Sequence, residues 1–374
     1  MIQPKFALIP SGYKNGVYPT TDGKIYTILP NDEDSDYTDF ERNGFGYRVK
    51  PDGLLEQMTS NDPRIDHTTE CPALLLETNS LNSFTFSEDL TQSEWSKATG
   101  NGIRPNEGIA PDGNKTADEV YTTMAGSFIL LTRTPTTQAN QWASFSVFIK
   151  NHNDEQDFVY METGAQSTGY SVYGKLQFRF SDESFSIIGG DFVEYYNVTK
   201  YANGWYRLEL TIKNPGYING TYLWKLQANK GYGRSMYVWG AQHENQKCYK
   251  PTSYIPTLFS TVTRQNEIIT GADIQNVWND VEGVLYLDID PNINPSSTYV
   301  SQSVSIGVNS GTGSNLTINF KIDASNNTFM NFSAFIPFTT PLNYNHTIEF
   351  NQRIKCAVLY KTGIPGAYKI FVNG

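Results

Sequence analysis

The chain has 374 residues, a net charge of -10 and 14% aromatic residues, with 24 Tyr and 21 Phe. That length accommodates two or three domains and a core that needs no staples. The acidic balance excludes a nucleic-acid grip, which requires a concentrated basic surface. Hydrophobic residues at 39% beside charged residues at 18% exclude a disordered chain. No stretch approaches the roughly 20 apolar residues of a membrane span, so no membrane insertion is expected. Met1-Ile2-Gln3-Pro4-Lys5-Phe6 lacks the apolar run of a signal peptide, which predicts synthesis in a cytoplasm. Cys71, Cys248 and Cys356 have no metal or disulfide spacing and read as three reduced thiols.

Along the chain, residues 1–70 hold short apolar pieces cut by Pro and Gly, such as Phe6 to Ile9 and Ile25 to Leu29. Such pieces bury too little to fold alone, so they are expected to lean on neighbours or on another chain. Asp52-Gly53, between two strand-like runs, signals a hairpin. Residues 71–265 read as strand after strand. Phe145, Val147 and Ile149 share one face, and Leu176-Gln177-Phe178-Arg179-Phe180 alternates in the same way. In Trp205 to Lys213, Tyr206, Leu208, Leu210 and Ile212 point one way. Arg207, Glu209, Thr211 and Lys213 point the other, which predicts a half-buried antiparallel strand. Asn203-Gly204, Asn219-Gly220, Gly189-Gly190 and Gly231-Tyr232-Gly233 mark turns. The fold class is therefore all-β: antiparallel jelly-roll or β-sandwich domains behind a small irregular N-terminal attachment segment. A second, incomplete sandwich is expected over 266–374, with strands at Val284 to Ile289, Leu316 to Ile322 and Ile354 to Tyr360. Asn373-Gly374 asks for a return strand, which predicts that the protein continues. Asp273 to Val281 is the best short helix candidate.

Catalytic chemistry has no constellation to rest on. His67, His152, His243 and His346 lie far apart, outside any HExxH or nucleophile-elbow context, and read as surface or turn residues. No catalytic residue and no cofactor is assigned, and the chain reads as a non-enzyme. Asn31-Asp32-Glu33-Asp34-Ser35-Asp36 offers carboxylates at alternate positions, as a calcium loop would. Tyr37 and Asn43 stand where an EF-hand needs Gly and Glu, so the run reads as a solvated loop and no metal is assigned. Aromatics carry the better functional hint, because flat rings beside polar groups suit sugars. Trp205 and Trp239 read as core. Tyr195, Tyr196, Tyr232 and Tyr237 read as the exposed candidates for glycan binding.

Three stretches carry a resemblance. The first runs from Asp52-Gly53-Leu54-Leu55-Glu56 through Asn61-Asp62-Pro63-Arg64-Ile65-Asp66 and Cys71-Pro72-Ala73-Leu74-Leu75-Leu76-Glu77 to Phe86-Ser87-Glu88-Asp89-Leu90 and Trp95. The second is Ala202-Asn203-Gly204-Trp205-Tyr206-Arg207. The third joins Val238-Trp239-Gly240-Ala241-Gln242-His243-Glu244 to Thr252-Ser253-Tyr254-Ile255-Pro256-Thr257 and Val262-Thr263-Arg264. In order and spacing they resemble the carbohydrate-binding-module-like jelly roll of phage tail-fibre, head-fibre and minor structural proteins. His243 departs from that family, which often has Leu there. Residues after Arg264 resemble the start of a laminin-G or concanavalin-like sandwich, with Tyr368 to Gly374 as its "VNG" strand and turn. The resemblance implies a virion component made in a bacterial cytoplasm and anchored to other virion proteins through residues 1–50. It implies adhesion to a host surface glycan. It also implies self-association, a homotrimer being favoured over a dimer on the resemblance alone. The alternatives are a capsule polysaccharide depolymerase and a free carbohydrate-binding module. A depolymerase of that kind would carry a repetitive β-helix, and the sequence holds no regular repeat.

Overall fold

Alternating apolar and polar residues can bury one face of a strand only by pairing edge to edge and stacking face to face. The computed structural model does both. It describes residues 40–69, 71–125, 128–137, 142–152, 157–165, 171–213, 220–230, 233–245, 250–269, 282–290, 302–307, 315–322, 328–335, 342–347, 353–361 and 368–373. The apolar pieces at Phe6 to Ile9 and Ile25 to Leu29, the acidic run at 31–36 and the helix candidate at 273–281 lie outside the described residues.

Among the described residues of 40–269, two large antiparallel sheets stack. The eight-stranded sheet runs in the order Val193–Lys200, Trp205–Lys213, Trp142–Asn151, Ser235–Asn245, Ser80–Asn82, Val262–Arg264, with Ala117–Thr122 and Asn101–Gly108 joined beside Ser235–Asn245. The seven-stranded sheet runs Phe185–Gly189, Ser171–Arg179, Phe158–Ala165, Gly220–Lys230, Phe128–Arg133, Ser96–Lys97, with Thr136–Thr137 beside Gly220–Lys230. Between them lies one apolar core. Phe145, Val147, Ile149, Leu208, Leu210 and Ile212 from the first sheet meet Val159, Met161, Leu176, Phe178, Trp224 and Leu226 from the second. Each such side chain, fully buried, contributes about 1.5–3 kcal/mol. This is the expected antiparallel sandwich of the jelly-roll class.

One expectation fails in an informative way. Trp205–Lys213 is not half-buried: Arg207, Glu209 and Thr211 are buried as well as the apolar side. The cause is a second layer. Gly46–Val49 and Leu55–Met58 form the hairpin signalled by Asp52-Gly53, with Gly53 at φ +81° and Lys50 N–H donating to Leu54 O at 2.8 Å. Tyr47, Val49 and Leu55 of that hairpin pack with Phe148, Trp205, Trp239 and Tyr254 into a separate core on the outer face of the eight-stranded sheet. Trp205 and Trp239 are fully buried there, and their ring N–H groups donate to Ile109 O at 2.9 Å and Thr116 Oγ1 at 3.1 Å. Gly240 sits at φ +64°, and a Cβ on it would lie 3.0 Å from the Phe148 ring and 3.2 Å from that of Tyr254. That conformation and that closeness account for Gly after Trp239.

The outer layer is locked by buried charge. Arg42, Arg64 and Glu267 have fully buried side chains. Glu267 Oε1 accepts from Arg42 Nη1 at 2.8 Å and from Arg64 Nε at 2.6 Å. Arg64 Nη2 reaches Glu77 Oε2 at 2.8 Å, and Arg264 approaches the same oxygen at 3.5 Å. Burial opposes the charge on Glu77. The Arg264 and Arg64 guanidinium groups and two Ser253 hydrogen bonds outweigh it and hold the carboxyl below the usual range. Asn61 to Asp66, Glu77, Ser253 and Arg264, which carry the resemblance, are thus largely parts of one clamp.

The described residues of 272–374 form a second unit. It has a three-stranded antiparallel sheet, Glu282–Ile289, Ile354–Lys361 and Tyr368–Val372, and a four-stranded one, Gln302–Gly307, Asn315–Ile322, Thr328–Phe335 and Leu342–Thr347. All three strands expected from the sequence after Ile268 are present. Cys356 is a buried free thiol, and burial pushes its pKa up to about 11. Cys71 is free and exposed.

Candidate functional site

In the Phe158–Ala165 strand, Val159 and Met161 turn into the core, so Tyr160 and Glu162 stand on the outer face of the seven-stranded sheet. Register then decides their company. Gln177 and Gln227 lie directly beside Tyr160, and Ser186 lies beside Gln177. Lys175 and Lys225 flank Glu162, and Thr132 lies beside Lys225. Two parallel rows cross this face: Gln227, Tyr160, Gln177, Ser186, and Thr132, Lys225, Glu162, Lys175. Each spans four strands, or about 14 Å.

The charged row is self-compensated apart from one positive charge. Glu162 accepts from Lys175 at 2.8 Å and from Lys225 at 3.2 Å. Lys175 Nζ also lies 4.8 Å from the centre of the Tyr160 ring, which meets Phe158 at 4.7 Å between centroids. Lys175 takes one face of the tyrosine ring, and Tyr160, Gln177 and Gln227 remain half-buried. The two amides each offer a donor and an acceptor. A ring flanked by amides on an open sheet suits a flat, hydroxyl-rich ligand that needs C–H contact and bidentate hydrogen bonds.

The tyrosines singled out from the sequence do not meet in one patch. Tyr195 and Tyr196 are neighbours in Val193–Lys200 and therefore face opposite ways. Tyr195 is half-buried and donates to Glu209 Oε2 at 3.2 Å. Tyr196 is exposed, with its ring 6.2 Å from Phe185. Tyr237 is half-buried against His152, at 4.8 Å between ring centroids. Tyr232 lies outside the described residues. Tyr160, Gln177 and Gln227 were not singled out as site residues. Their alternation was available, but which outward row stays open depends on what packs elsewhere.

The outer face of the other sheet is polar too, yet it is sealed. Arg207 donates to Ser146 Oγ at 2.8 Å and to Thr252 O at 2.7 Å. Burial raises the pKa of Glu209, against the opposing pull of Arg207. His243, read as a surface residue, is fully buried and stacked on Phe145 at 4.6 Å. Glu88 and Asp118 are carboxyls pushed up by burial, to about 7 and about 6. Tyr254 donates to Glu88 at 2.8 Å, and the Leu90 and Asn106 amides donate to Asp118 at 2.7 and 3.0 Å. Both acids thus serve as internal acceptors. No group of His, Cys, Asp and Glu that could hold a metal ion occurs among the described residues.

No family model matches the chain, and no curated protein matches it in sequence. Several solved structures are similar to part of the chain. One is the enzymatically active domain of tailspike protein 4 of bacteriophage CBA120, at 11% identity and a TM-score of 0.30, over 44% of this chain and 21% of that one. A second is the Clostridium thermocellum xylanase 10B fragment holding a carbohydrate-binding module and its catalytic module, at 10% and 0.29, over 44% and 27%. A third is the family 11 carbohydrate-binding module of Clostridium thermocellum, in complex with a mixed-linked tetrasaccharide, at 11% and 0.27, over 48% and 97%. The chain thus spans about a fifth of the tailspike domain and about a quarter of the xylanase fragment. At these scores the likenesses assign no activity.

Proposed function

We infer that this chain is a non-enzymatic adhesion component of a phage virion, a tail or head fibre or spike, whose sandwich contacts a host surface glycan. The observation that carries the reading is the open polar row around Tyr160, with Gln177 and Gln227 on either side. It offers stacking and amide hydrogen bonds on a rigid sheet, and its neighbouring carboxylate, Glu162, is held by two lysines instead of being free for acid–base work. In this reading residues 1–50 anchor the chain to other virion proteins, and three copies associate. Tyr195, Tyr196, Tyr232 and Tyr237 form a separate set of proposed contacts.

The test is a glycan array probed with the full chain. Binding to a neutral host glycan should fall at least tenfold in Tyr160→Ala and persist in Lys115→Ala, a change at an exposed position outside the row. Loss in Tyr196→Ala with none in Tyr160→Ala would move the contact to the first-named tyrosines. Shortening of purified capsule polysaccharide by the chain would overturn the non-enzymatic reading in favour of a depolymerase. Reading frames for capsid, portal or tail proteins beside this one support the virion assignment, and their absence counts against it.

A further inference from the structure

The three-stranded sheet of the second unit has an inside and an outside. Ile354, Cys356 and Val358 are buried on one face. Alternation sends Val284, Tyr286, Ala357, Leu359 and Phe371 to the other. Register sets Tyr286 beside Ala357 and Ala357 beside Phe371, so two rings stand in one row with only a methyl group between them. They are two strand spacings apart, about 10 Å. Tyr286 is 58% exposed and Phe371 46%. Large apolar groups left this open on a rigid sheet mark an interaction site.

The next row names the partner's chemistry. Tyr286, Arg353, Lys355, Ala357, Phe371 and Asn373 share one shallow depression. Arg353 forks onto Asp288 at 2.6 and 2.8 Å, cancelling that charge. Lys355 and Lys369 are both exposed, on the same face as the rings. Lys361 and Glu282 pair on the same face at 2.9 Å, so Arg353, Lys355, Lys361 and Lys369 stand against Glu282, Asp288 and Asp290, an excess of one positive charge in a chain whose net charge is -10. Lysine within the patch disfavours a second protein surface, since protein interfaces are depleted in it. It favours an anion that also has flat C–H faces.

We propose that this face binds an acidic oligosaccharide. Two successive sugar rings lie on Tyr286 and Phe371 across Ala357, and the carboxylates reach Lys355 and Lys369. The proposal stands on the second unit alone and does not rest on the Tyr160 row.

Affinity electrophoresis of the full chain in gels containing polygalacturonate, hyaluronan or dextran tests it. Retardation by at least one acidic polymer is expected, with none by dextran. Apparent affinity should fall at least tenfold in Tyr286→Ala and in Phe371→Ala. It should fall further at higher salt and in Lys355→Glu, but not in Lys115→Glu, which changes the same charge in the other unit. Both ring positions are exposed, so circular dichroism and melting should match the parent chain. Migration unaffected by either acidic polymer, or retardation that Tyr286→Ala leaves intact, overturns the proposal. So does a concentration-dependent dimer that Phe371→Lys dissolves, which would give the face to a second copy. Neutral-glycan binding lost in Tyr160→Ala while the acidic polymers have no effect would sink this site and leave the other standing.

Discussion

His243 is a neutral imidazole enclosed in the core. Its Nδ1 lies 2.5 Å from Ser83 Oγ, and its buried Nε2 has no hydrogen-bond partner. Burial alone pushes its pKa down to about 3. A depressed histidine contributes stability in full above its unfolded value of about 6.5, and loses it as pH falls through the folded value. His243→Leu removes the orphaned nitrogen and keeps an apolar neighbour for Phe145. At pH 7 the urea midpoint should change by less than about 1 kcal/mol equivalent. At pH 4 the variant should be the more stable by on the order of 2 kcal/mol. Glu88 has the opposite sign. Its pKa is raised to about 7, chiefly by burial, so its contribution is full below about 4.5 and is lost as pH rises through 7. Glu88→Gln keeps an acceptor for the Tyr254 hydroxyl and should flatten the stability decline between pH 4.5 and 7.5. Parallel slopes for parent and variant would contradict this.

At the scale of elements, Trp205–Lys213 separates what alternation tells from what it does not. The periodicity places Tyr206, Leu208, Leu210 and Ile212 in the core, where all four lie. Leu210→Asp would bury an unpaired carboxylate and should cost about 4 kcal/mol or more in chemical denaturation. Periodicity is silent on the other face, because a polar row reads alike whether water or a second layer covers it. Here the hairpin and Thr252 cover it. Arg207→Ala should therefore cost about 3 kcal/mol, leaving Glu209 buried without its cation, instead of the fraction of a kcal/mol expected at an exposed site. The candidate site was hidden for the same reason. The sequence shows that Gln177 points away from Leu176 and Phe178, but Tyr160 and Gln227 become its neighbours only through pairing between strands far apart in the chain. His243 misled because it stands between Gln242 and Glu244 in a polar run that carries no local sign of depth.

On the scale of the molecule, residues 40–67 matter more than a tether would. Removing them uncovers Phe148, Trp205, Trp239 and Tyr254 and leaves Glu267 without Arg42 and Arg64. A chain shortened to begin at Phe40 should stay soluble and melt cooperatively. One beginning at Cys71 should aggregate or melt well below it. Equal melting temperatures would show that the outer layer adds nothing. Light scattering of the full chain checks the proposed trimer, and a monodisperse monomer would end that idea.

Phe40–Glu41 pairs antiparallel with Ile268–Ile269, and Arg42 grips Glu267 just inside that pair. The backbone therefore enters and leaves the sandwich at one spot, side by side. If the chain is pulled apart at Phe40 and Ile269, the load falls on this short ladder and the charges behind it. Antiparallel neighbours pulled in opposite directions separate bond by bond, like a zip, whereas strands loaded along their length must break together. The sandwich between residues 42 and 267 hangs off the line of tension as a side loop. It stays unstrained until the clasp at its neck gives way.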